Sequence, residues 1–141
     1  MVDLPNQAGP MCDWPRVQAV DGAKACLQRL SQHAQCHLAT NAEDSTEAQI
    51  RLALIRAGLS DYINYVFCRE NLGMGKIDPR YYQTIADKLK VSPKQITMVG
   101  DSLERDVHQA LKAGIKAVWF HPNSVCTESD ILTIEKLDML N

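Results

Sequence analysis

"TMVGDSLERDV", residues 97–107, is an apolar run that stops at Gly100 and turns at once into acidic chain carrying Asp101 and Asp106. "ITMV" (96–99) reads as a short buried strand, and residues 103–113 as a helix stopped by Gly114. A strand that passes directly into a helix is a unit of a parallel α/β sheet, and ligands gather at the carboxyl ends of such strands. Carboxylates crowded at that point repel one another unless a cation sits among them. Hard oxygen ligands suit Mg²⁺, which keeps several waters and takes only one or two carboxylates. The plainer alternative is helix capping: Asp101 as cap with Glu104 at capping-box spacing. Capping accounts for both of those residues and leaves Asp106 over, unless it is simply an acid favoured by the helix dipole.

Outward from this junction, helices and short apolar strands alternate. Gly22 to His33 carries an apolar stripe with Asp21 as a cap. "CHLAT" (36–40) follows as a strand, then "DSTEAQIRLALIRAG" as a helix that starts near Ser45 and ends at Gly58. "YVFC" (65–68) is the next strand. In "DPRYYQTIADKLK", Asp78 and Pro79 give a strong helix start. "KAVWF" (116–120) is a strand, residues 121–130 a loop, and "TIEKLDML" a terminal helix or helical turn. The alternation predicts a single α/β domain over residues 1–141, with a mainly parallel sheet and helices on both faces.

Two further strand ends carry polar residues. Thr40-Asn41 follows "CHLA", where a hydroxyl and backbone amides can hold phosphoryl oxygens; an ordinary turn is the competing reading. Lys76 lies in "GMGKIDP", ahead of the Pro79 helix start. It can neutralise a transferring phosphoryl group, or it is a solvated surface lysine.

Composition narrows the function classes. With 45% hydrophobic and 23% charged residues the chain is ordinary globular material, and its net charge of −2 gives no attraction to nucleic acid or anionic membrane. No apolar run approaches the roughly 20 residues that span a bilayer, and the N-terminus lacks a signal-peptide pattern. Cys12, Cys26, Cys36, Cys68 and Cys126 are scattered and form no C-x-x-C pair, so they read as reduced thiols of a cytoplasmic protein. His33, His37, His108 and His121 have no metal-ligand spacing. Trp14 and Trp119 read as packing residues, as does one of Tyr81 and Tyr82.

Taken together, "HLATN", "GKIDPRYY" and "MVGDSLERD" resemble the second, third and fourth motifs of the haloacid dehalogenase (HAD) superfamily of phosphohydrolases. The run "VGDSLERDVHQALKAGIKAVWF" is similar to its phosphoglycolate-phosphatase-like branch, and the resemblance covers about residues 15–140. It implies a Rossmann-like three-layer sandwich whose central strand is flanked by two strands on each side. It also implies Mg²⁺ as cofactor, Thr40 and Lys76 on the phosphate, and Asp101 on the metal directly or through water; Asn41 is read as joining the phosphate cradle, and Asp106 as a second metal-side acid. The spacings between Asp3, Thr40 and Lys76 leave no room for a sizeable cap domain. The site is therefore expected to be open, acting on a phosphorylated small molecule or a phosphoprotein.

The family's first motif, D-x-D-x-T, is matched poorly by "MVDLPNQ". Its first Asp attacks phosphorus and binds the metal, which makes Asp3 the nominal nucleophile. Pro5 stands at the acid/base position and carries no proton, and Gln7 stands in place of Thr. Only Met1 and Val2 precede Asp3, short of the usual strand of about 5–6 residues. The expectation is a missing or degenerate first motif within an irregular or truncated segment 1–14. Two readings follow: a Mg²⁺-dependent phosphatase-type hydrolase with impaired activity, or a catalytically silent HAD-like binding or regulatory module. Loss of a central strand also makes self-association or strand exchange a hypothesis for sedimentation to test.

Overall fold

The computed structural model describes residues 9–121 and 131–140. They fall into two compact units, one reaching Gly73 and the other spanning Met74–Leu140, and each is described by itself.

The first unit contains helix α1 (Ala23–Leu30), strand β1 (Leu38–Ala39), helix α2 (Glu47–Ala57), strand β2 (Val66–Phe67) and the single-turn helix α3 (Arg69–Leu72). β1 and β2 pair in parallel, with Leu38 opposite Val66 and Ala39 opposite Phe67. Val66 and Phe67 are both buried, as strands covered on two faces must be. α2 begins at a full capping box: Thr46 accepts from the Gln49 amide, and the Gln49 side chain accepts from the Thr46 amide. Thr46 rather than Ser45 is therefore the cap. The helix ends at Gly58, whose φ of 75° is the left-handed turn that glycine adopts freely. α1 is preceded by Gly22 at φ 80° rather than capped by Asp21, because the left-handed residue brings the chain into the helix without a side-chain acceptor.

The second unit contains helix α4 (Tyr81–Leu89), strand β3 (Thr97–Gly100), a π-wound segment (Leu103–His108), helix α5 (Gln109–Lys112), and strands β4 (Lys116–Phe120) and β5 (Leu132–Ile134). The strands form a parallel sheet in the order β3–β4–β5. Of the terminal helix or helical turn expected over "TIEKLDML", the turn is present as a 3-10 turn at Leu137–Met139, while Thr133 and Ile134 belong to β5. Thr133 and Ile134 pair with Trp119 and Phe120, and β-branched residues suit that pleated position. α4 starts at Tyr81, later than the Asp78-Pro79 signal indicates. Asp78 instead closes a tight turn, accepting from the Arg80 amide at 2.9 Å and pairing with its guanidinium at 2.9 Å. Residues 103–113 are not one regular α-helix, since their first six residues are π-wound.

Parallel strands alternating with helices make this an α/β fold. Among the described residues, β1 has a strand partner on one side within its sheet, and so does β3. The expected first motif with Asp3 lies outside the described residues, as do positions 122–130 of the expected loop. No helix among the described residues is long and apolar enough to cross a membrane.

Candidate active site

The end of β3 decides what the acids of "GDSLERD" can do. Ser102, not Asp101, caps the segment that follows, its hydroxyl accepting from the Arg105 amide at 3.2 Å. Glu104, the other half of the expected capping box, turns to His108 (3.3 Å) and Gln109 (3.2 Å) instead. The His108 and Gln109 contacts hold its carboxyl below the usual range. Asp101 is thereby released from capping, and its side chain is exposed at the strand end. Its backbone is fixed from the neighbouring strand: Trp119, in register with Gly100, donates its indole N–H to the Asp101 carbonyl at 3.0 Å. Trp119, expected only to pack, ties down the loop that presents this carboxylate.

Asp106 has a different environment. It is buried, and its Oδ1 lies 2.7 Å from Nζ of Lys76, which is buried as well. Its Oδ2 accepts from the Ser102 amide at 3.1 Å. Both carboxylate oxygens therefore meet protein donors. A lysine ammonium taken out of water needs such a partner, because an unpaired buried charge carries a penalty of several kcal/mol. Lys76 is not a solvated surface residue. Gly100 is required for this arrangement, since a Cβ at position 100 would collide with the Asp106 carboxylate.

The winding of residues 103–108 places Asp106. The amides of Asp106 and Val107 both point to the Ser102 carbonyl, at 2.9 and 3.3 Å, and the Gln109 amide reaches back to Glu104. The Tyr82 hydroxyl donates to the Arg105 carbonyl at 2.8 Å.

In the first unit, Thr40 extends the β1–β2 ladder through its amide, which donates to the Phe67 carbonyl at 3.0 Å. Its hydroxyl accepts from the Ala42 amide at 3.2 Å, turning the chain sharply after the strand. Asn41 lies beside Arg69, whose guanidinium donates to the Asn41 carbonyl and side-chain oxygen at 3.4 Å and pairs with Glu43 at 3.3 Å. Arg69 is a strand-end cation that sequence reasoning did not single out. Its position directly after "YVFC" was the available signal.

Among the described residues, no group of three or more His, Cys, Asp or Glu side chains is disposed to hold a metal. One exposed carboxylate at a strand end nevertheless meets the smallest protein contribution that Mg²⁺ takes, because that ion retains waters and binds substrate oxygens. Asp101 fits that role. Asp106, expected beside it, is occupied by Lys76 and Ser102.

Compared with known protein families, residues 7–114, well over half of the chain, match the haloacid dehalogenase-like hydrolases. The chain belongs to this family. Among curated HAD relatives it is 33% identical to the pyrimidine 5'-nucleotidase PynA of Streptococcus pneumoniae over 108 residues, 75% of this chain and 44% of that protein. It is 38% identical to a phosphoserine phosphatase of Thermus thermophilus over 69 residues, 49% of this chain and 28% of that protein. The chain thus spans less than half the length of either relative. Its fold matches that of an uncharacterized protein from Listeria monocytogenes, with a TM-score of 0.81 at 23% identity, covering 93% of this chain and 82% of that one.

Proposed function

We propose that the chain is a phosphatase-type HAD domain that cleaves phosphomonoesters, with activity lowered by its first motif. The observation that carries this reading is Lys76, a buried ammonium held in place by Asp106 in a chain of this family. An ammonium is a compact point charge that suits a phosphoryl oxygen, and Asp106 fixes its place. Thr40 and Asn41 are the other residues proposed to bind phosphate. Asp101, with Asp3, would hold Mg²⁺, which would offset the negative charge of the phosphate. Asp106 serves the site by anchoring Lys76.

In the proposed reaction an Asp3 oxygen bonds to phosphorus while the ester P–O bond breaks, and its electron pair leaves with the alcohol oxygen. Water then attacks the aspartyl phosphate, releasing inorganic phosphate and restoring the carboxylate. Pro5 can neither protonate the leaving oxygen nor activate that water, so both protons are exchanged with solvent. Loss of such a general acid/base lowers rates by about 10²–10⁴-fold. Substrates would be phosphorylated small molecules, the class named for the two curated relatives, or phosphoproteins. Among the described residues Cys12, Cys26, Cys36 and Cys68 are free thiols, which suits a cytoplasmic setting.

The rival reading is a catalytically silent binding module, and Pro5 favours it. Assay with p-nitrophenyl phosphate and Mg²⁺ separates the two. Turnover that Asp3→Asn abolishes supports the hydrolase. Absence of turnover, with inorganic phosphate still bound, supports the silent module.

A further inference from the structure

The π-wound segment leaves one carbonyl in an unusual position. In an α-helix the Gln109 amide would donate to Arg105, but here it donates to Glu104. The Arg105 carbonyl instead receives the Tyr82 hydroxyl at 2.8 Å. Tyr82 comes from α4, is 3% exposed, and packs edge-to-face on Tyr81 with ring centres 5.0 Å apart. The next residue after Arg105 is Asp106, whose carboxylate meets Lys76. Extra-wide helical turns are infrequent and cluster at functional sites, because each forgoes regular hydrogen bonds that other groups must replace. Burial, with the nearby Asp106 charge adding to it, pushes the Tyr82 hydroxyl far above its ordinary range and keeps it a proton donor.

We propose that Tyr82 is the positioning residue of the Lys76–Asp106 pair: its hydroxyl holds the Arg105 carbonyl, fixes the wide turn, and so aims the Asp106 carboxylate at the lysine. This deepens the reading of the same site, and its kinetic meaning rests on that reading. The geometric claim is independent of turnover. An aromatic ring alone at position 82 would fill the same space, so the claim concerns the oxygen atom.

The test compares the unaltered chain with Tyr82→Phe, Asp106→Asn and the double variant by NMR without substrate, so an inactive enzyme does not affect the outcome. The unaltered chain should show a slowly exchanging Lys76 ammonium signal, and Asp106→Asn should lose it. In Tyr82→Phe that signal should also be lost, while amide protection at Asp106 and Val107 falls about tenfold, the effect of one buried hydrogen bond. The double variant should show no further loss at Lys76. A Tyr82→Phe chain that is less stable but keeps the Lys76 signal and those amide protections overturns the inference, since that is the result of packing alone. The hydroxyl proton of Tyr82 in the unaltered chain is a second measurement, usable even if the variant does not fold. Exchange at the rate of a solvated tyrosine overturns the proposal, and slow exchange supports it.

Discussion

Lys76 Nζ and Asp106 Oδ1 lie 2.7 Å apart, with both side chains withdrawn from water and the second carboxylate oxygen held by the Ser102 amide. Desolvation and attraction nearly offset each other in such a pair, so removing one partner is far worse than removing both. Lys76→Met and Asp106→Asn are each expected to lower unfolding free energy by about 3–5 kcal/mol. Lys76→Met combined with Asp106→Leu should recover a large part of that loss. Urea denaturation of the four chains checks this, and additive losses would contradict it.

Gly100→Ala inserts a methyl group where the Asp106 carboxylate sits. The carboxylate cannot yield without leaving Lys76. A destabilisation of about 1–3 kcal/mol is expected, as for other overpacked sites. Combined with Asp106→Gly, which vacates that space, Gly100→Ala should add much less than it does alone.

Asp78 and Arg80 give a pH signature. Their contact holds the Asp78 carboxyl down at about 2, through hydrogen bonds from the Arg80 side chain and amide. A carboxyl depressed in the folded state stabilises above its unfolded pKa, near 4, and that contribution disappears as pH falls toward 2. Asp78→Asn should therefore be less stable than the unaltered chain at neutral pH and converge with it near pH 2. Stability curves that stay parallel down to pH 2 would rule this out.

If the proposed hydrolysis occurs, rates should depend steeply on the leaving group, because Pro5 supplies no proton. Aryl phosphates should turn over much faster than alkyl phosphates. Lys76→Met should reduce kcat by about 10²–10³-fold, the range seen on losing one donor to a developing oxyanion. Equal rates for both ester classes would indicate a general acid other than position 5.

Thr46→Ala removes half of the capping box that starts α2. It should cost about 1 kcal/mol, and Thr46→Ser should retain nearly all stability.

Much of this was legible in the chain. Apolar runs ending in Thr40, Cys68 and Gly100 marked parallel strands, and Gly58 and Gly114 marked helix ends. The missed points share a physical origin: they depend on partners distant in sequence. "TIEKLDML" reads as a helix or helical turn, yet pairing with β4 draws Thr133 and Ile134 into the sheet and leaves only the turn at Leu137–Met139. Capping competed with the metal-side reading of Asp101, and spacing could not show that Ser102 takes the cap. Spacing cannot show that a lysine thirty positions earlier reaches Asp106. The hydroxyl of Tyr82 and the indole of Trp119 gave no local signal, since each acts on a backbone carbonyl of another segment.

The wide turn over Leu103–His108 has a consequence for insertions and deletions. A π turn contains one more residue than an α turn, so this segment stores a surplus residue between the two acids. Excising Glu104 would let ordinary α-winding bridge Ser102 and Val107, whereas excising a residue from α5 would twist everything downstream out of phase. Shortening is thus expected to keep the helix in phase at one place, where it gives up the Asp106–Lys76 contact, and to put it out of phase a single turn later.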